Sequence, residues 1–419
     1  MKILIHGLNC APEKVGIAVY TSEMAEALVA RGHEVHVVCG QPYYPAWKIA
    51  EGHSAWLYQS ETRGGVQITR VPHYIPAQPS GAKRLIHHAS FAATSLPPLL
   101  AKAVSFRPDV VLAVAPSLVA APMARLTAAL TRSPSWLHIQ DLEVEAAFAT
   151  GLIREGGRLA RWARGFERAV TGSFGKISSI SPQMCAKITL NCRPSVPVYE
   201  FRNWADIDAI TPTDVPSPYR AEWNITTPFV ALYSGNIANK QGIEIVVEAA
   251  QRLRERGDLT FVVCGEGPNR ANLERQASGL TNIVFHDLQP KERLGDLLSL
   301  ATVHLLPQIA GAADLVMPSK LTNMLASGRP IVVTADPQTA LGIEVEGCGK
   351  VVPPGSGEGL ARGLAELLDD AELRHLCGVA ARQRAEERWS KTFVLAAFEA
   401  ELVALVEAAK APRTTSKAP

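Results

Sequence analysis

The strongest constraint on how this 419-residue chain folds is a rhythm that occurs twice. Short apolar runs that read as strands alternate with longer stretches that read as helices. The first series predicts strands at Lys2–His6, Glu34–Val38, Val66–Val71, Asp109–Ala115, Trp136–Ile139, Lys176–Ile180 and Val198–Phe201. Helices are predicted between most of them, at Val15–Ala30, Lys83–Phe106, Leu118–Leu130, Leu152–Val170 and Pro182–Leu190. Strands alternating with helices give a parallel sheet covered on both faces.

A break follows at Asn203–Asp206, and Thr211–Pro228, with four prolines and no periodicity, reads as a linker. The second series places strands at Phe229–Tyr233, Leu259–Cys264, Asn282–Phe285, Val303–Leu306, Ile331–Thr334 and Lys350–Val352. Its helices are predicted near Gly242–Glu255, Pro268–Ser278, Lys291–Leu300, Ser319–Ser327 and Gly359–Leu368. The length suits two domains, 1–205 and 206–388. A helix over 389–409 is expected to pack back on the first domain, and 410–419 to be a disordered tail. Two doubly wound α/β domains facing each other would bring their ligand crevices into one cleft.

Composition excludes other classes. Apolar content of 47% and charged content of 20% describe a globular protein. No run of about 18 apolar residues suggests a membrane span, and no cleavable signal pattern precedes the first strand. The seven cysteines form no Cys-x-x-Cys pair, which suits a reducing cytoplasm and gives no zinc site. Residues 1–200 carry 20 Lys and Arg against 13 Asp and Glu, whereas residues 201–419 carry 22 against 27. The basic first half suits an anionic membrane surface, or reflects chance distribution over two solvated surfaces. No nucleic-acid partner is expected.

The segment Met317–Ala335 carries the clearest chemistry. Pro318 and Ser319 suit a helix start and Gly328 a helix end. The free amides of Ser319, Lys320 and Leu321, with the Lys320 ammonium, form a natural diphosphate site. One turn on, Asn323 can bond a sugar hydroxyl. Other strand-to-helix turns repeat the theme. Gly16 opens the first helix, where a missing Cβ permits close approach of a phosphate or simply close packing. Lys240 follows the Gly235–Asn236 turn and is either a second phosphate ligand or a solvated helix-start lysine. The turn Cys264–Pro268 offers Glu266 and its backbone to a base or ribose.

At the end of the strand from Trp136, Asp141 can accept the proton of an acceptor hydroxyl or steady positive charge on a donor sugar, or cap the next helix. His138 shares that catalytic reading, or sits in the core. Arg154, Arg158, Arg161, Arg164 and Arg168 share one helical face, with Leu159, Trp162 and Phe166 opposite. That stripe suits lipid headgroups or a pyrophosphate-linked acceptor, or a solvated surface. Lys83–Lys102 is a second candidate for membrane contact. No Asp-x-Asp motif follows a first-domain strand, so no metal site is expected.

Taken in order, G-I-A-V-Y, D-L-E, N-W-A-D, S-G-N-I-A-N-K-Q-G, C-G-E-G-P and P-S-K-L-T-N-M-L-A-S-G-R-P resemble glycosyltransferase family four over nearly the whole chain. The likeness is strongest to bacterial enzymes of the colanic-acid fucosyltransferase type. The resemblance implies a GT-B fold and retaining, metal-independent transfer with no cofactor. The donor would be a GDP-sugar or UDP-sugar, and the sugar fucose or a related deoxysugar. The acceptor would be polyprenyl-diphosphate-linked, at the inner face of the cytoplasmic membrane, in exopolysaccharide, capsule or O-antigen synthesis. It also implies that Gly16, Lys240 and the Ser319–Leu321 amides hold the diphosphate. The family's paired glutamates fall on Leu315, with Asp314 beside it, and on Asn323; its arginine after the first second-domain strand falls on Asn236. These departures keep a non-catalytic GT-B partner subunit open as an alternative. A nucleotide-sugar 2-epimerase shares the architecture.

Overall fold

Two mainly parallel sheets organise the chain, as the strand–helix rhythm predicts. The computed structural model describes residues 1–13, 16–78, 80–144, 157–191, 196–205, 207, 209–237, 242–308 and 319–411. The chain divides into two units, Met1–Asn203 with everything from Leu395 onward, and Trp204–Val394.

In the first unit the strands are β1 (Lys2–Gly7), β2 (Glu34–Gly40), β3 (Gln59–Arg63), β4 (Val66–Val71), β5 (Val110–Ala115), β6 (Ser135–Ile139), β7 (Lys176–Ser179) and β8 (Val198–Glu200). They lie in the order β3-β4-β2-β1-β5-β6-β7-β8. Helices α1 (Ile17–Ala30), α2 (Gly81–Ser105), α3 (Ala121–Thr131), α4 (Arg158–Thr171) and α5 (Pro182–Asn191) connect them. Strand β1 lies between β2 and β5, with Ile5 opposite Val37 and Leu112. Ile3, Leu4 and Ile5 are fully buried, which explains the unbroken apolar run.

In the second unit, β9 (Phe229–Ser234), β10 (Leu259–Cys264), β11 (Ile283–His286), β12 (Val303–Leu306), β13 (Ile331–Thr334) and β14 (Gly349–Val352) lie in the order β11-β10-β9-β12-β13-β14. Its helices are α6 (Tyr219–Glu222), α7 (Glu244–Arg252), α8 (Arg270–Gln276), α9 (Leu294–Leu300), α10 (Ser319–Ala326), α11 (Ala340–Val345), α12 (Gly357–Asp369) and α13 (Ala371–Trp389). In both sheets the winding direction reverses once, beside β1 and beside β9. Ligands of such sheets bind outside the carboxyl ends of the strands at that point.

The last helix, α14 (Lys391–Lys410), belongs to the first unit from Leu395. Its Phe398 stacks on Phe201 at 4.1 Å and meets Trp136 edge-on at 5.0 Å. Glu399 bonds His33 at 2.7 Å and Arg31 at 3.1 Å, and Glu401 pairs with Lys176. Residues 412–419, most of the expected tail, lie outside the described residues.

The structure corrects three expectations. Strand β3 was not anticipated, because Q-S-E-T-R is polar and exposed. It pairs antiparallel with β4 through a two-residue turn, Gly64–Gly65, both at positive φ, and that glycine pair was the available signal. The proline-rich segment is no loose linker: Tyr219 is fully buried and bonds Gln289 at 3.0 Å, and Ser217 bonds the Asp296 carbonyl at 2.5 Å. Helix α13 was also unanticipated. Its buried face is Cys377, Gly378, Ala381 and Ala385, small residues that give weak periodicity but allow close packing, with Trp389 at its end. A Cβ at Gly378 would lie 2.5 Å from the Gly328 carbonyl oxygen.

Candidate functional site

In the second unit, two turns lie against each other at the carboxyl ends of β9 and β10. The Gly235 amide donates to the Cys264 carbonyl at 2.8 Å, and the Ile237 amide to the Glu266 carbonyl at 2.8 Å. Only glycine tolerates this approach. A Cβ at Gly265 would fall 1.9 Å from the Gly235 oxygen, and one at Gly267 would fall 2.3 Å from the Ile237 oxygen. Arg270 ties the second turn down, bonding the Gly265 carbonyl at 3.0 Å and Asp287 at 2.5 Å. Asn236 and Glu266 are exposed at the tips of the two turns.

Lys320 comes to the same place from the first turn of α10. Its Nζ donates to the Tyr233 hydroxyl at 3.0 Å and lies 4.6 Å from the centre of that ring. Burial lowers the Lys320 ammonium to about 8. It raises the Tyr233 phenol. A partly desolvated cation is a stronger partner for an anion than a solvated one. The Leu321 side chain is fully buried, so only its backbone amide is offered to a ligand. Ser319 opens the helix, and Asn323 is half-buried one turn on. Lys240 and Asp314 lie outside the described residues. The sequence reading overlooked Tyr233; its signal was a tyrosine ending a buried strand one residue before the glycine turn.

In the first unit, Gly16 is the residue before α1, with φ 59 and ψ −141, a conformation that suits glycine alone. A Cβ there would meet nothing within 4 Å, so the conformation, not packing, requires glycine. Ahead of it, the buried Glu13 accepts the amides of Tyr43 and Tyr44 at 2.8 Å each and the Asn9 amide group at 2.9 Å.

The structure corrects the catalytic reading of His138. The ring is buried in β6, bonds the Ser178 hydroxyl at 2.9 Å and packs 4.8 Å from Phe201. Burial lowers it to about 3, so it is a neutral core histidine. Asp141, two residues past β6, is exposed, yet surrounding protein still raises its carboxyl above the ordinary value. Nearby, Glu143 accepts the Leu118 amide at 2.9 Å, and burial raises it to about 8. The sequence reading gave neither Glu143 nor Glu13 a role, because a carboxylate's burial is invisible without the fold.

On α4, Arg158, Arg161, Arg164 and Arg168 are exposed, and Arg154 lies outside the described residues. The helix buries Ala160, Ala163, Glu167 and Val170 instead of the expected apolar face. Leu159 and Trp162 are 59% and 66% exposed, and Trp162 stacks on Phe166 at 5.7 Å. The helix therefore shows solvent both its arginines and an aromatic strip. In α2, Phe91 and His87 are buried, whereas Leu85 and Ile86 are exposed. No helix among the described residues is long and apolar enough to cross a membrane.

Comparison with known proteins gives the family and the fold. Residues 15–204 match the glycosyl transferase 4-like domain, and residues 217–384 match glycosyl transferases group 1. Over 417 residues the chain is 41% identical to a putative colanic acid biosynthesis glycosyl transferase, WcaI, of Escherichia coli (strain K12), covering 95% of this chain and 98% of that protein. Among solved structures, sucrose-phosphate synthase from Thermosynechococcus elongatus superposes with a TM-score of 0.70 at 16% identity, covering 97% of this chain and 99% of that one. Anabaena Alr3699/HepE in complex with UDP gives 0.68 at 14% identity, covering 96% and 100%. The structural likenesses establish the fold, two Rossmann-like α/β domains of the GT-B kind.

Proposed function

This chain belongs to the group 1 glycosyltransferase family, and from that premise we propose that it moves a sugar from a nucleoside-diphosphate donor onto a polyprenyl-diphosphate-linked glycan. The observation that carries the donor class is the Lys320 ammonium held against the Gly235 turn, at the carboxyl edge of the second unit's sheet. A leaving nucleoside diphosphate gains negative charge as the sugar–phosphate bond breaks, and such a cation stabilises it. Gly16, Asn236, Lys240, Glu266, Asp314, the Ser319–Leu321 amides and Asn323 are the proposed donor contacts. Asp141 is the proposed group beside the acceptor hydroxyl. The reaction we propose retains the anomeric configuration and needs no metal or other cofactor.

The product class follows from the full-length relative, whose name assigns it to colanic acid biosynthesis. We therefore place this chain in extracellular polysaccharide synthesis, with fucose or a related deoxysugar as the proposed donor sugar. The proposed site of action is the inner face of the cytoplasmic membrane. The arginines of α4 and its exposed Trp162 support contact with anionic lipid there.

The test is a thermal-shift screen of purified protein against UDP, GDP and their sugars, followed by product analysis on lipid-linked acceptors with and without EDTA. Stabilisation by one nucleoside diphosphate and acceptor-dependent turnover are expected. Turnover without acceptor would point to an epimerase, and binding without turnover to a partner subunit.

A further inference from the structure

We propose that Tyr233 is a positioning residue that sets Lys320 for the donor diphosphate; the inference rests on the reading of Lys320 as a diphosphate ligand. An ammonium only donates hydrogen bonds, so at 3.0 Å the Tyr233 oxygen is the acceptor and its own hydrogen goes to another partner. That partner is the Asn236 carbonyl, 2.6 Å away. One hydroxyl therefore links the first turn of α10 to the turn after β9, two segments otherwise far apart in sequence.

Gly235 completes the seat. A Cβ at this position would fall 2.3 Å from Cε and 2.5 Å from Nζ of Lys320. The lysine stem thus lies along the backbone of the turn, with the ring of Tyr233 4.6 Å from Nζ. A lysine on a flexible four-carbon stem would otherwise lose its rotamer freedom on gripping a phosphate. Seated here, it has lost that freedom beforehand.

Full-length wild-type protein, Tyr233→Phe, Lys320→Met, the double variant and Gly235→Ala are titrated by calorimetry with UDP and UMP, and with GDP and GMP. The diphosphate-to-monophosphate affinity ratio is the readout, because a general packing defect weakens both ligands alike. Tyr233→Phe is expected to lower that ratio about tenfold, the scale of one hydrogen bond to a charged group. The double variant should be no worse than Lys320→Met, since the hydroxyl acts through the lysine. Gly235→Ala, which leaves Tyr233 intact and unseats the lysine, should lower the ratio as well. An unchanged ratio in Tyr233→Phe, with a collapsed ratio in Lys320→Met, overturns the role of Tyr233 alone. An unchanged ratio in Lys320→Met overturns the reading of the lysine beneath it.

Discussion

Oε1 of Glu143 lies 3.6 Å from Nε2 of His88, yet at neutral pH the two are not an ion pair. Burial raises Glu143 to about 8 and lowers His88 to about 4, so a carboxylic acid faces a neutral imidazole. Desolvation disfavours both charged forms and outweighs their attraction at this distance.

The first prediction follows from the sign of that shift. Between the ordinary carboxyl value and about 8, folded Glu143 keeps a proton that the unfolded chain has released. Its contribution is therefore fully present below the ordinary value and is lost as pH rises through about 8. Glu143→Gln removes this dependence. Urea unfolding should show the variant gaining on wild type from pH 5 to pH 9, by roughly 2 kcal/mol once partial solvent access is allowed for. Parallel pH curves for the two proteins would sink the idea.

His138 gives the opposite slope. Its folded value, about 3, lies below the unfolded one, so its stabilising effect is present above pH 6.5 and lost as pH falls toward 3. His6 and His304 are lowered in the same way by burial. His138→Ala should cost about 2 kcal/mol at pH 7 through the lost packing and the lost hydrogen bond to Ser178. Acid unfolding should also become shallower. Nucleoside-diphosphate affinity should be unchanged, and a loss of turnover in fully folded variant would restore the catalytic reading.

The parts of the fold legible in the sequence were those whose signal is local. A fully buried strand such as Ile3–Ile5 announces itself by an unbroken apolar run, and α10 by its proline, serine and glycine punctuation. What stayed hidden depends on long-range partners. Helix α13 buries a face of small residues whose meaning appears only when Gly378 meets Gly328. His138 and Asp141 look alike as polar residues at one strand end, but the first points at Ser178 and the second is exposed. Tyr233 stayed hidden because its ring is buried in β9 and its oxygen meets Lys320, a residue 87 positions on.

The glycines separate two kinds of strain. Gly265→Ala would place a methyl 1.9 Å from the Gly235 oxygen, so the two turns must move apart. A loss of about 3 kcal/mol or more and abolished nucleoside-diphosphate binding are expected, by chemical unfolding and calorimetry. Gly16→Ala meets no neighbour but must hold φ 59 with ψ −141, at a cost of about 1–3 kcal/mol. If the Gly16 backbone contacts phosphate, that variant also loses donor affinity; if its role is conformational only, stability alone falls.

The arginines of α4 supply the last prediction. Arg158, Arg161 and Arg168 are exposed on the helix that also exposes Trp162, a combination that suits a bilayer surface in both charge and apolar reach. Each basic residue near an anionic surface contributes about 1 kcal/mol, and reversing three should weaken binding by at least a hundredfold. In vesicle co-sedimentation, wild-type protein should bind phosphatidylglycerol vesicles in a salt-dependent way and neutral phosphatidylcholine vesicles weakly. The variant Arg158→Glu/Arg161→Glu/Arg168→Glu should lose the anionic component. Trp162→Ala should weaken what remains at high salt, where screening leaves the apolar contact. Equal binding of wild type and the triple variant to anionic vesicles would assign the stripe to solvent.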